Sequence, residues 1–333
     1  WSDENQAYGI KSDNTLWVWG LNEYGQLGLN SRTTYSSPVQ VPGTTWANSV
    51  WIEGVALGTK TDGTLWAWGG NTVGHLGQND LVKRSSPTQI PGTWGTGSTK
   101  IAAGGAQAAI NSDGELFTWG DSASGKLGLN QFGSYYSTPS RVNSRSSPTQ
   151  IFGGGTTWRS VHGGYSSFAA TKTDGTLYTW GMSGGGQLGL NTAGGHNPNF
   201  ALAYPNSKSS PTQVPGTTWT TNIAGGQLNY FAVKTDGTLW CWGDNGNGEL
   251  AQNNKTQYSS PVQVGSDATW DHVSSEEGSP RVTKTDGTLW AWGFNNDGRL
   301  GLNSRTKYSS PVQVPGTTWY STSGAGLSQK RVG

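Results

Sequence analysis

The stretch that decides the fold is Asp174-Gly175-Thr176-Leu177-Tyr178-Thr179-Trp180-Gly181, followed shortly by Gly186-Gln187-Leu188-Gly189. An Asp-Gly pair between two short apolar runs is a strong hairpin signal, because a type I′ turn needs positive φ at both central residues. The phrase recurs with its Asp at Asp13, Asp62, Asp113, Asp174, Asp236 and Asp286, spaced 49, 51, 61, 62 and 50 residues apart. Asn14 stands in the glycine's place in the first copy. Asn is the next residue most tolerant of positive φ. Length alone would allow two domains, but six in-phase copies without a linker predict one domain spanning 1–333.

Working outward, each unit has four punctuated parts. A Thr-Trp pair leads into a small-residue segment such as Ile223-Ala224-Gly225-Gly226. An apolar run such as Tyr230 to Lys234 follows, then the Asp-Gly turn into Leu-Trp-x-Trp-Gly. After Gly-x-Leu-Gly and a polar loop comes Ser-Ser-Pro-x-Gln. Each part is short, rich in β-branched and aromatic residues, and bounded by Gly, Pro, Asn or Asp, so each reads as a strand. No useful 3.6-residue periodicity argues for helix. Four strands every fifty or so residues predict an all-β propeller of four-stranded blades.

Of 18 tryptophans, 16 fall in repeat slots, leaving only Trp1 and Trp51 outside them. The second aromatic of the motif is always Trp: Trp19, Trp68, Trp119, Trp180, Trp242 and Trp292. It stands two residues after the first aromatic, so both rings point to one face of the blade and fill the gap to its neighbour. The tryptophan richness is thereby mostly architecture.

Composition removes several function classes. Lys+Arg 21 against Asp+Glu 20 gives a net charge of +1, with no basic excess to drive nucleic-acid binding. No apolar run approaches the ~18–20 residues of a membrane span. A single Cys excludes an intramolecular disulfide or a CxxC metal site. The start at Trp1, with no signal segment, predicts a targeting peptide that is absent or already removed.

These repeats resemble those of the regulator of chromosome condensation family: Ala-Gly-Gly, an apolar strand, Asp-Gly, aromatic-x-Trp-Gly, then Gly-Gln-Leu-Gly. The resemblance covers the whole chain and implies a propeller, usually of seven blades in that family. Six motifs here favour six blades. The chain starts near a second strand (Ala7 to Lys11) and stops in the same place of the next unit. The termini would therefore complete one shared blade; a chain that is a fragment would instead lack a seventh. The family's eponymous members promote nucleotide exchange on a small GTPase and bind nucleosomes. A bacterial relative inhibits β-lactamases. No wedge or basic tail here would carry exchange or chromatin activity, and fold does not fix function.

The candidate sites are few. The Asp-Gly aspartates read as turn chemistry rather than a calcium ring, since Asp bonds its own backbone in turns. Gly184 to Gly189 matches GxGxxG but is one copy of the repeat loop, not the mouth of a dinucleotide-binding helix. The x slot of Gly-x-Leu holds Gln26, His75, Lys126, Gln187, Glu249 and Arg299, and such free variation predicts an exposed position. His75, His162, His196 and His272 lack metal-ligand spacing. Cys241 reads as a small packing residue, and no GxSxG elbow is present. No catalytic residue, metal or cofactor is predicted.

In the resembled family the small-residue segment lines the central channel. Glu53, His162, Glu276 and Glu277 depart from its Ala/Gly pattern and form a candidate polar site at the channel mouth. The strongest lead is length: Gln131 to Arg145 and Thr192 to Lys208 are equivalent insertions in neighbouring units. They carry Phe132, Tyr135, Tyr136, His196, Phe200 and Tyr204, and insertions in repeat proteins often map to the binding face. Such rings suit interfaces. The sequon Asn254-Lys255-Thr256 lies in a similar loop.

The leading functional expectation is a non-enzymatic propeller presenting loops to a macromolecular partner. Low charge and a Ser/Thr/Asn/Gly-rich surface place it outside a cell, on a bacterial surface or in a phage virion, within a larger assembly. A glycan-binding propeller and a protein regulator or inhibitor are the alternatives.

Overall fold

The computed structural model describes residues 6–52, 54–103, 105–133, 142–192, 206–276 and 278–319. These form an all-β propeller of six blades, with no helix among the described residues. The first blade holds β1 (Gln6–Ile10), β2 (Leu16–Gly20) and β3 (Tyr35–Gln40). The second holds β4 (Trp46–Ile52), β5 (Val55–Lys60), β6 (Leu65–Gly69) and β7 (Arg84–Ile90). The third holds β8 (Ile101–Ala103), β9 (Ala106–Ile110), β10 (Leu116–Gly120) and β11 (Arg145–Gln150). The fourth holds β12 (Trp158–Gly163), β13 (Ser167–Lys172), β14 (Leu177–Gly181) and β15 (Lys208–Gln213). The fifth holds β16 (Trp219–Gly225), β17 (Asn229–Lys234), β18 (Leu239–Gly243) and β19 (Tyr258–Gln263). The sixth holds β20 (Trp270–Glu276), β21 (Ser279–Lys284), β22 (Leu289–Gly293) and β23 (Tyr308–Val314). Every blade is an antiparallel meander in chain order, and the first shows three strands among the described residues.

The Asp-Gly hairpin differs from the expected type I′ turn. Gly63 N donates to Lys60 O at 3.1 Å and Lys60 N to Thr64 O at 2.9 Å. Only Gly63 has positive φ (81°); Asp62 does not. This is a three-residue loop, a type I turn closed by one left-handed residue. The Asp is therefore free to act as a cap. Asp62 Oδ1 accepts from Thr64 N at 3.0 Å and from Thr64 Oγ1 at 2.6 Å, and Trp66 Nε1 donates to Thr64 Oγ1 at 2.8 Å. The chain of bonds recurs at Asp13-Thr15-Trp17, Asp236-Thr238-Trp240 and Asp286-Thr288-Trp290.

The second aromatic sits at a bulge where the β6–β7 ladder shifts register, between Ala67 and Gly69, and the other blades repeat it. Gly69 has φ 99°, and a Cβ there would lie 2.6 Å from Gly54 O, so the Trp-Gly pair is sterically required. Trp68, Trp119, Trp180, Trp242 and Trp292 are fully buried. In blades two to six the Thr-Trp ring packs on the blade's own motif aromatics: Trp46 lies 6.4 Å from Trp66 and 5.5 Å from Trp68, both edge-on. Edge-to-face pairing of this kind adds about 1 kcal/mol to area burial.

Two hydrogen bonds tie each blade to the next. Trp68 Nε1 donates to Gln26 O, Trp119 to His75 O, Trp180 to Lys126 O, Trp242 to Gln187 O and Trp292 to Glu249 O, all at 2.6–2.9 Å. Beside them Asn30 N donates to Ser85 O, Asn79 to Ser146 O, Asn130 to Ser209 O, Asn191 to Ser259 O and Asn253 to Ser309 O, at 2.6–2.8 Å.

Candidate functional site

The x slot of Gly-x-Leu is a correction. Gln26, Lys126, Gln187 and Glu249 are buried rather than exposed. The shared task belongs to the backbone carbonyl, which accepts the next blade's indole. In four copies the side chain turns back into its own loop: Gln26 Oε1 accepts from Tyr24 N, Gln187 Oε1 from Gly185 N, Glu249 Oε2 from Asn247 N, and Lys126 Nζ pairs with Asp121 at 2.9 Å. Any polar group with local reach satisfies that demand, which is why the slot varies.

Alternate strand directions put the first-to-second and third-to-fourth connections of every blade at one end, the loop face. The Asp-Gly turns and the Thr-Trp approaches lie at the other. Both insertions join third to fourth strands, between β10 and β11 and between β14 and β15, so they belong to the loop face of adjacent blades. Tyr135, Tyr136, His196, Phe200 and Tyr204 lie outside the described residues. Phe132 is described and is 45% exposed.

A device that the sequence reading missed controls loop length. Asn22, Asn71, Asn245 and Asn295 are fully buried just after the Trp-Gly pair. Asn71 Nδ2 donates to Asp80 O (3.0 Å) and Val82 O (3.1 Å), and its Oδ1 accepts from Leu76 N (3.0 Å). Asn22, Asn245 and Asn295 repeat the pattern. The two blades with insertions carry Ser122 and Ser183 instead. A serine hydroxyl cannot span the loop. Among the described residues Ser122 Oγ reaches one backbone carbonyl, Val142 O, at 2.8 Å. The insertion's base is held by Asn143 Nδ2 to Phe132 O (3.0 Å) and Arg145 Nη2 to Gln131 Oε1 (2.9 Å).

Exposed large apolar side chains gather on the loop face. Of eight among the described residues, Tyr24, Leu81, Val82, Phe132, Val142 and Tyr165 lie there, spread over blades one to four. Lys83 Nζ stands 4.5 Å over the Tyr24 ring and links the first two loops.

The channel-mouth set is partly visible. Glu53 and Glu277 lie outside the described residues, and Glu276 ends β20, paired with Ser279. His162 lies in β12 opposite Ala169. Its Nε2 is shielded from solvent, with no hydrogen-bond partner among the described residues. Burial, with a smaller push from nearby His272, lowers its pKa to about 4, and burial lowers that of His272 as well. Both imidazoles are thus neutral near pH 7. The described residues bring the two histidines near each other from β12 and β20, and hold no group of three His, Cys, Asp or Glu side chains placed for a metal. Cys241 is buried in the core, its thiol pushed well up by burial.

Blade geometry, latches and loop face together define a tandem-repeat β-propeller that offers a variable loop surface on a fixed ring of blades. The pattern of the regulator of chromosome condensation (RCC1) repeat matches residues 13–60, 62–110, 113–167, 174–233, 236–275 and 286–321, and a second form of it matches 221–249. The chain belongs to this repeat family. It is 32% identical over 158 residues to the ultraviolet-B receptor UVR8 of Arabidopsis thaliana, a match covering 46% of this chain and 31% of the receptor. It is 30% identical over 143 residues to the probable E3 ubiquitin-protein ligase HERC6 of Homo sapiens, covering 43% of this chain and 12% of the ligase. The matched part is thus under a third of either relative. In structure it resembles yeast RCC1 (Prp20) bound to Kap60, with TM-score 0.74, 17% identity, and coverage of 94% of this chain and 73% of that one. Human WBSCR16 gives TM-score 0.69 at 19% identity, covering 94% and 80%. At these identities the likeness is one of fold.

Proposed function

We propose that this chain is a non-enzymatic binding propeller that presents its loop face to a protein partner. The carrying observation is the one-sided distribution of exposed apolar side chains, with the two long loops rooted on that same face. Six of the eight exposed large apolar side chains among the described residues lie on this face, across four blades. The yeast fold relative bound to Kap60 supports a protein as the partner class. The low-charge, Ser/Thr/Asn/Gly-rich composition supports a place outside a cell or on a virus particle.

The test is photo-crosslinking in the source cell or particle, with a photoreactive residue at Val82 or Val142 on the loop face and at Phe152 on the opposite face. Discrete protein adducts from the first two positions and none from the third are expected. Equal adducts from both faces would reject the assignment. Glycan-array binding without protein adducts would move the chain to the glycan reading.

A further inference from the structure

Five hairpin turns at the end opposite the loop face form a matched set. Gly63, Gly114, Gly175, Gly237 and Gly287 all have φ between 79° and 81°. Each glycine N donates to the carbonyl three residues before it, on Lys60, Asn111, Lys172, Lys234 or Lys284, at 2.9–3.2 Å. Each follows an aspartate, so one Asp-Gly bond occurs five times in one backbone geometry.

The turns differ at the carboxylate. Asp62, Asp174, Asp236 and Asp286 each accept at Oδ1 from the Oγ1 of the threonine two residues on, at 2.6–2.7 Å, and from its N at 2.9–3.0 Å. The threonine hydroxyl, and then its N–H, hold these four carboxyls below the usual carboxylate range, because both bonds favour the ionised form. Asp113 lacks that partner. Glu115 stands in the threonine's place, and its N donates instead to Asn111 Oδ1 at 2.8 Å. The Glu115 carboxylate is itself taken by Asn111 Nδ2 at 2.7 Å and Gln150 Nε2 at 3.3 Å. Asp113 is exposed, and its carboxylate has no hydrogen-bond or ion-pair partner among the described residues. The one further Asp-Gly bond, Asp297-Gly298 between β22 and β23, has its carboxylate paired with Arg299 Nη2 at 2.9 Å.

We propose that Asp113-Gly114 is a self-modification site, the turn at which this protein forms isoaspartate. Gly114 N attacks Asp113 Cγ and a five-membered succinimide closes. One C–N bond forms and one C–O bond breaks; the amide proton and the acid's hydroxyl leave together as water. Water then adds to either imide carbonyl. One opening restores aspartate, and the other routes the main chain through Cβ and Cγ. Glycine offers no Cβ to hinder the attack. In the four capped turns two hydrogen bonds to the carboxylate must break first, and at Asp113 none must. The product adds one main-chain atom where there is no slack: Gly114 O accepts from Trp158 N at 3.0 Å, and a Cβ on Gly114 would lie 2.3 Å from Thr156 O. Isoaspartate therefore loosens the link between the third and fourth blades. The inference does not depend on which partner the loop face takes.

The four capped turns supply the test. The protein is incubated for weeks at neutral pH, folded and in urea, and its peptides are mapped by electron-transfer fragmentation, which distinguishes isoaspartate from aspartate. In the folded protein isoaspartate is expected at position 113 about tenfold faster than at Asp62, Asp174, Asp236 or Asp286. In urea that excess should disappear. Equal rates in the folded protein would overturn the proposal. So would the same excess in urea, which would assign the preference to the flanking sequence. Thr64→Val should speed isomerisation at Asp62 several-fold and leave Asp113 unchanged. The double variant Asn111→Lys/Glu115→Thr rebuilds the cap, and should slow Asp113 to the rate of the other four. An undiminished Asp113 rate in a double variant that melts like the parent contradicts the cap as the cause.

Discussion

At the scale of single residues, the fold rests on short bond chains that tie a turn to a core ring. Thr64 is the relay between Asp62 and Trp66. Replacing it by Val keeps the volume but strips both bonds, so Thr64→Val should cost about 1 kcal/mol in urea unfolding. The third blade explains why the relay is not universal. Its first aromatic is Phe117, which has no N–H to satisfy, and Glu115 stands in the Thr place. Asn111 takes over the cap there, accepting from Asp113 N and Glu115 N. His162 gives a pH prediction. Its folded pKa of about 4 lies below the unfolded ~6.5, so the unfolded chain binds more protons between those values. Its stability contribution is full above pH 6.5 and is lost as pH falls toward 4, by roughly 2–3 kcal/mol. Unfolding curves at pH 7, 5.5 and 4.5 should show that loss, and His162→Asn should flatten it.

At the scale of elements, buried asparagines act as length gauges. From the gauge residue to the first Ser of Ser-Ser-Pro is 14 residues at Asn22, Asn71, Asn245 and Asn295, but 24 at Ser122 and 26 at Ser183. Asn71→Ala would strand two carbonyls and one N–H, at a cost of about 3 kcal/mol in thermal or urea melts. Shortening the third blade's loop to the 14-residue form should hold stability within about 1 kcal/mol only when Ser122→Asn accompanies it, since loop length itself costs little. This gauge was legible in the sequence, because Asn and Ser change places in step with loop length. It went unread because a lone polar residue after Trp-Gly looks like loop filler until its burial is known. Strands, turn positions and tryptophan slots were legible because their periods repeat six times. The Gly-x-Leu slot misled for the opposite reason: side-chain identity varies where the main chain does the work. The turn type misled because Asp-Gly serves both two- and three-residue hairpins.

At the scale of the whole molecule, blades touch mainly their neighbours, so stability is close to a sum of blade and seam contributions. Trp119→Phe and Trp242→Phe each remove an indole bond to the preceding blade and leave a void, which should cost about 2–4 kcal/mol apiece. The two seams lie on different blade pairs, so the double variant should be additive within about 0.5 kcal/mol. Marked non-additivity in a double-mutant cycle would show strain passing around the ring.

The indole-to-carbonyl latch has one more consequence. Its donor is the same ring in blades two to six and its acceptor is main chain, so none of these five joints is a lock meant for one neighbour. Duplicated or shuffled units can be spliced into such a ring as interchangeable parts. Their outward loops can then drift freely, because divergence at the rim leaves the joints unchanged.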